Sequence, residues 1–150
     1  MDSLERIFLL HVPSSTENLA MIRDFVGSIG QRAGMSGAEL VKLELAVDEA
    51  CANVIEHAYG SDDTREVRVK ATIDPECVQI EIVDTGRGFD PTKIEEPNLK
   101  ELASRRKSGG FGMHLIRTVM DEVQYQMVPG QKNELRMKKR LKKPDSPPNA

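Results

Sequence analysis

Two short runs in the middle of the chain alternate between apolar and polar residues, with Val83 as an apolar exception at the end of the second run. The apolar positions are Val67, Val69 and Ala71 in the first run and Val78, Ile80 and Ile82 in the second. A period of two is typical of strands that bury one face. The turn residues Asp74-Pro75 separate the runs, so they predict a strand pair whose apolar face other elements must cover.

Helical patterns flank this strand pair. Ser14 with Glu17 has the spacing of a capping box and predicts a helix that runs to about Gln31. A second capping box, Ser36 with Glu39, predicts a longer helix over 36–58. A third helix is expected from about Gly112 to Asp121, where apolar residues recur at helical spacing.

Three further strands are predicted, over 5–12, 122–128 and 133–141. The order of helices and strands implies an α/β (α+β) two-layer sandwich, with a mixed, mainly antiparallel sheet and the helices on one face. The 150 residues are enough for one domain, expected over 1–143, followed by a disordered Pro-rich tail over 144–150.

Composition narrows the functional classes. The net charge of −3 gives no general attraction to nucleic acid. The sequence contains no apolar run of the roughly 18 residues that a membrane span needs. Cys51 and Cys77 are isolated and form no CxxC motif, which favours a reducing cytoplasm over a disulfide scaffold. These features predict a cytoplasmic protein that binds neither a membrane nor nucleic acid directly.

Glu49 and Asn53 lie four residues apart on the long predicted helix, and therefore on one stripe of its surface. A carboxylate there can orient a nucleophile or take its proton, and an amide oxygen can ligate Mg²⁺. The alternative is an ordinary solvated Glu-x-x-x-Asn pair, which helices often contain.

Asp84 ends the second alternating run and leads into Gly86 and Gly88. A carboxylate at a strand end can accept a hydrogen bond from an exocyclic amine, while glycines let a flat ring approach the backbone. The alternative is a plain Asp-Gly turn.

Gly110 and Gly112 belong to a glycine-rich turn that feeds the third helix. Free N–H groups at a helix N-terminus suit phosphate. The alternative is a flexible hinge of a lid, because residues 84–110 form a long polar connection.

Taken together, the three motifs resemble the GHKL ATPase superfamily, which has the Bergerat fold. Glu49 with Asn53 is similar to its N box, and the two glycine motifs are similar to its two glycine boxes. Within the superfamily, the run from Leu45 to Gly60 and the run from Gly109 to Tyr125 resemble the anti-sigma-factor serine/threonine-protein kinases, as does the closing Asn133-Glu134-Leu135-Arg136-Met137.

The resemblance implies an ATP-dependent kinase that phosphorylates a serine of a STAS-domain anti-anti-sigma protein, binds a sigma factor and forms a homodimer. By motif, Glu49 would be the general base, Asn53 would ligate Mg²⁺, and Asp84 would accept from the adenine amino group. By the same resemblance, Gly86 and Gly88 would flank the adenine base, and Gly110 and Gly112 would contact the phosphates.

Two other functions stay open. The chain could be a non-catalytic ATP-binding module that sequesters a partner protein, although a pure binder needs no base at Glu49. It could also be the ATPase domain of a sensor histidine kinase, but no His opens a long helix with the hydrophobic repeat that a phospho-acceptor hairpin needs.

Overall fold

A computed structural model describes residues 5–59, 64–85, 110–128 and 132–141. The described chain forms five strands and three α-helices. Their bounds are β1 Arg6–Pro13, α1 Leu19–Arg32, α2 Gly37–Asn53, β2 Glu66–Ile73, β3 Cys77–Asp84, α3 Gly110–Val119, β4 Glu122–Val128 and β5 Lys132–Arg140. A short 3₁₀-helix, Thr16–Asn18, precedes α1, and a π-helical turn, Val54–Ala58, continues α2.

The five strands form one sheet in the order β1-β2-β3-β5-β4. All four pairings between the described strands are antiparallel, where a mixed sheet was expected. In the β3–β5 pair, Ile82 lies opposite Leu135 and Asp84 lies opposite Asn133. This arrangement confirms the two-layer α+β class.

The core lies between one face of the sheet and the helices. The alternating residues predicted to face inward are buried: Val67, Val69, Ala71, Val78, Ile80, Ile82. From the helices, the buried apolar side chains include Ile22, Val26, Leu43, Val47, Met113 and Ile116. No helix in the described ranges has the length and apolar character needed to span a membrane.

The capping box predicted at Ser14 is wrong. Ser14 is fully buried, its Oγ accepts a hydrogen bond from the Arg65 N–H at 3.1 Å, and its own N–H donates to the Arg65 carbonyl at 2.9 Å. A local pattern could not show that a segment fifty residues away would occupy this hydroxyl. The 3₁₀ turn therefore comes first, and α1 begins only at Leu19.

The second predicted cap is confirmed, because the Ser36 Oγ accepts a hydrogen bond from the Glu39 N–H at 3.2 Å. The helix over 36–58 is also confirmed as one continuous helical segment, except that its last turn is π-helical. Three predicted features lie outside the described residues: the glycine motif at Gly86 and Gly88, the lid, and the tail over 144–150.

Candidate functional site

Asn53 and Asp84, which lie on different elements, line the same small cavity between α2, α3 and the sheet. The other lining residues are Ala50, Val54, Ile82, Met113, Tyr125 and Leu135. The enclosed space is about 10 Å³, which is roughly the room that one water molecule needs. The cavity thus marks where the two predicted site residues meet, and is smaller than a whole nucleotide site.

Asp84 reaches this cavity because of strand periodicity. It is the last residue of β3, and a period of two puts it on the same face as Ile80 and Ile82. Its side chain is 5% exposed. A buried carboxylate needs hydrogen bonds to offset its lost hydration, and the Asn133 Nδ2 donates to the Asp84 Oδ1 at 2.8 Å.

The sequence motifs did not identify this role of Asn133. It interrupts the apolar alternation of β5 just before Leu135 and Met137, as Asp84 interrupts that of β3 after Ile82. Asp84 and Asn133 each stand at the end of a row of inward-facing apolar residues, at the same end of the sheet. Such a position indicates that the two side chains contact each other, but only if their strands are known to be neighbours. The β3–β5 register supplies that information.

Asn53 is the last residue of α2 before the π-helical turn, and it is buried. Its Nδ2 has no hydrogen-bond partner among the described residues. Buried polar groups are nearly always paired. The Asn53 amide is therefore not fully engaged by the described protein, and a ligand in the cavity could complete its bonding.

Glu49 lies one helical turn before Asn53 on α2 and is half-buried. It is not among the residues that line the small cavity. Gly110 is the first residue of α3 and Gly112 lies in its first turn, where backbone N–H groups lack intrahelical partners. Met113, from the same turn, lines the cavity and so brings the start of α3 beside Asn53 and Asp84.

These residues fit a nucleotide-borne magnesium ion better than a protein-built metal cage. The described residues contain no group of three His, Cys, Asp or Glu side chains placed to hold a metal. Mg²⁺ commonly takes one or two protein oxygens and completes its shell with water and substrate phosphates. A single amide such as Asn53 is compatible with that pattern.

The two thiols do not belong to this chemistry. Burial raises the pKa of Cys51 well above its ordinary value. Burial and the neighbouring Asp74 carboxylate raise the pKa of Cys77 to about 11. Both cysteines are free and both stay protonated near neutral pH, so neither is a nucleophile of the site.

A family model described as a histidine kinase-like ATPase domain matches residues 12–139. The chain belongs to this family. Among curated relatives of this ATPase, the serine-protein kinase RsbW of Bacillus licheniformis is 31% identical over 79% of this chain and 76% of its own length. RsbW of Oceanobacillus iheyensis is 30% identical over 76% of this chain and 75% of its own length. RsbW of Bacillus subtilis is 29% identical over 78% of this chain and 76% of its own length.

A solved structure of the RsbU and RsbW domains of a Mycobacterium tuberculosis protein superposes with a TM-score of 0.68 and 14% sequence identity. The match covers 93% of this chain and 33% of that one, so this chain spans about a third of the solved protein. The superposition confirms the fold. Family membership and the curated relatives make this ATP-binding chain an enzyme of the protein-serine kinase class.

Proposed function

We propose that this histidine kinase-like ATPase transfers the γ-phosphoryl group of ATP to a serine of a STAS-domain anti-anti-sigma protein, and that it also binds a sigma factor. One observation carries the proposal: Asn53 and Asp84, which are 31 positions apart in the sequence, meet at one cavity beside the start of α3. That arrangement supports a contact with adenine, a metal ligand and a phosphate contact within a single site.

At the adenine-binding end of the proposed site, Asp84 accepts a hydrogen bond from the adenine amino group, and Gly86 and Gly88 let the ring approach the backbone. The Asn133 amide holds one carboxylate oxygen of Asp84. This contact limits the rotation of the side chain, so that less of its freedom is lost when the nucleotide binds. Guanine presents a carbonyl where adenine presents its amino group, so a fixed acceptor selects against it.

At the phosphate end, the amide oxygen of Asn53 would ligate Mg²⁺, and the backbone N–H groups at Gly110 and Gly112 would contact phosphate oxygens. When bound, the ion neutralises the charge of the transferring phosphoryl group. The N-terminal end of α3 contributes its partial positive charge in the same place. Positioning and neutralisation of charge account for most of the catalysis in phosphoryl transfer.

Glu49 acts as the general base. The acceptor serine oxygen forms a bond to the γ-phosphorus, the bond from that phosphorus to the β–γ bridging oxygen breaks, and ADP leaves. The serine proton passes to the Glu49 carboxylate. Its place on α2, one turn from Asn53, supports this role because both side chains then face the same reacting group.

We further propose that the kinase acts in the cytoplasm as a homodimer. β1 lies at an edge of the described sheet, and its Ile7 and Leu9 side chains are 53% and 64% exposed. A second copy would cover these apolar groups and the open strand edge. Leu9→Lys should shift the sedimentation coefficient to that of a monomer, whereas Val41→Lys, an equally exposed position on α2, should not.

The kinase proposal is tested by incubating the protein with ATP, Mg²⁺ and purified STAS-domain proteins, followed by mass spectrometry of the partner. We expect one phosphoserine on the partner. It should not form when EDTA is present or when that serine is replaced by Ala. Binding of ATP and sigma factor with no phosphate on any partner would instead indicate the sequestering module.

A further inference from the structure

Tyr59 connects the end of the helix that carries Glu49 and Asn53 to the residue that follows Asp84. Its hydroxyl donates to the Glu66 carbonyl at 2.5 Å and accepts from the Thr85 N–H at 3.0 Å. A phenolic hydroxyl can donate one hydrogen bond and accept another, so it makes both contacts at once. Tyr59 itself is 8% exposed, whereas Glu66 and Thr85 are exposed, so the two bonds are partly buried.

The π-helical turn brings Tyr59 to this position. The Tyr59 N–H donates to the Val54 carbonyl at 2.9 Å, a bond that spans five residues rather than the four of an α-helix. Because this turn contains one residue more than an α-helical turn, Tyr59 is rotated about the helix axis relative to its place in a continuous α-helix. π-Helical turns are rare and occur frequently at functional sites, and this one directly follows the proposed metal ligand.

Arg65 completes the arrangement around Thr85. Its guanidinium lies 4.9 Å from the centre of the Tyr59 ring, and its Nη2 donates to the Thr85 carbonyl at 3.0 Å and to the Thr85 hydroxyl at 2.8 Å. The Thr85 N–H is thus held by Tyr59 and its carbonyl by Arg65. The backbone of Arg65 is itself bonded to the buried Ser14, which anchors the cluster to the end of β1.

We propose that Tyr59 is a positioning residue of the nucleotide site, which holds the peptide after Asp84 and thereby fixes the backbone that carries the base-reading carboxylate. Asn133 restrains the same carboxylate from the opposite strand. The inference rests on the function proposed above, because the position of Asp84 matters only if this residue reads the base. Tyr59 acts on nucleotide affinity and not on the phosphoryl-transfer step.

The test compares Tyr59→Phe, Asp84→Asn and the double variant by calorimetry with ATP and with ADP. Tyr59→Phe keeps the ring and its contact with Arg65 and removes only the hydroxyl. We expect the Kd of ATP and of ADP to rise by the same factor, about three- to tenfold, the usual effect of one hydrogen bond, with kcat at saturating ATP unchanged. In the Asp84→Asn background, the same change should alter Kd by less than about twofold.

Ser36→Ala is the matched stability control, because it removes the N-cap at the far end of α2. It should lower the melting temperature and leave Kd unchanged. A Tyr59→Phe protein that melts earlier but binds ATP normally, or whose effect adds fully to that of Asp84→Asn, would overturn the inference. Should Tyr59→Phe not fold, Arg65→Met, which releases the Thr85 carbonyl, is expected to give the same pattern.

The two proposals fail differently. If wild-type protein binds ATP and Asp84→Asn weakens that binding, but Tyr59→Phe does not, only the inference about Tyr59 is lost. If wild-type protein binds no ATP, or if Asp84→Asn binds as tightly as wild type, the proposed function of the site is overturned and the inference goes with it.

Discussion

Asn133 lies directly opposite Asp84 in the β3–β5 pair, and its Nδ2 donates to the Asp84 Oδ1 at 2.8 Å. Both side chains are buried, at 3% and 5% exposure. Hydrogen bonds to charged groups contribute about 1.5–3 kcal/mol. The contact therefore fixes the orientation of the proposed adenine-binding carboxylate.

Two Asn133 variants test this contact. Asn133→Ala removes the donor and should weaken ATP binding about tenfold, as expected for the loss of a charge-assisted hydrogen bond. Asn133→Asp has almost the same shape but places a second carboxylate beside the first, so it should bind ATP more weakly than the Ala variant. Calorimetry checks both values. Wild-type affinity in Asn133→Asp would show that the contact does not hold the nucleotide acceptor.

Asp84→Asn should weaken ATP binding by about 1.5–3 kcal/mol, because an amide can offer a donor where the adenine amino group needs an acceptor. The preference for ATP over GTP should fall at the same time. Parallel titrations with the two nucleotides measure both effects. Unchanged affinity and unchanged selectivity would remove Asp84 from the base-reading role.

Asn53→Ala should separate function from stability. The Asn53 Nδ2 has no partner among the described residues, and removing an unsatisfied buried polar group costs little or even stabilises a fold. The melting temperature of the ligand-free variant should equal or exceed that of wild type. Its nucleotide affinity should no longer depend on Mg²⁺. A variant that melts early and keeps a wild-type response to Mg²⁺ would indicate a structural residue.

Periodicity predicts the fold well because the alternating apolar positions of β2 and β3 are buried, although the outward-facing Thr72 and Glu81 are buried as well. The β2 and β3 alternation places Val69, Ile80 and Ile82 in the core, as the sequence predicts. The same alternation, extended by one step, carries Asp84 to the inner face.

Contacts between segments that are far apart along the chain could not be predicted from the sequence. The Ser14 hydroxyl binds the Arg65 N–H instead of capping α1, and Tyr59 binds Thr85 across 26 positions. No local pattern marks the π-helical turn either, since its residues also satisfy the α-helical spacing. These features depend on the register of the sheet and on how α2 packs against it.

The β2–β3 turn provides a test of stability against pH. Burial by itself raises the pKa of Asp74, but hydrogen bonds from the N–H groups of Glu76 and Cys77 and from the Cys77 thiol outweigh it, and the net pKa is lowered. A carboxyl with a lowered pKa stabilises the fold above its unfolded-state pKa, and this contribution is lost as pH falls through the folded-state value.

Asp74→Ala should therefore lower the free energy of unfolding by about 1 kcal/mol at neutral pH, and the difference from wild type should shrink below about pH 4. Asp74→Asn, which keeps one acceptor oxygen, is the control and should lose less at neutral pH. Denaturant unfolding across this pH range gives the values. A difference that stays constant down to pH 2 would exclude the carboxylate as its source.

The transfer rate of Glu49→Gln tests the central claim most directly. The substitution keeps the size of the side chain and removes its basicity, while the proposed base, metal and phosphate contacts come from other residues. ATP affinity and sigma-factor binding should persist, and single-turnover transfer to the partner serine should fall by about 10²–10⁴, the usual range for losing acid–base assistance. Phosphorylation by Glu49→Gln at the wild-type rate would contradict the account.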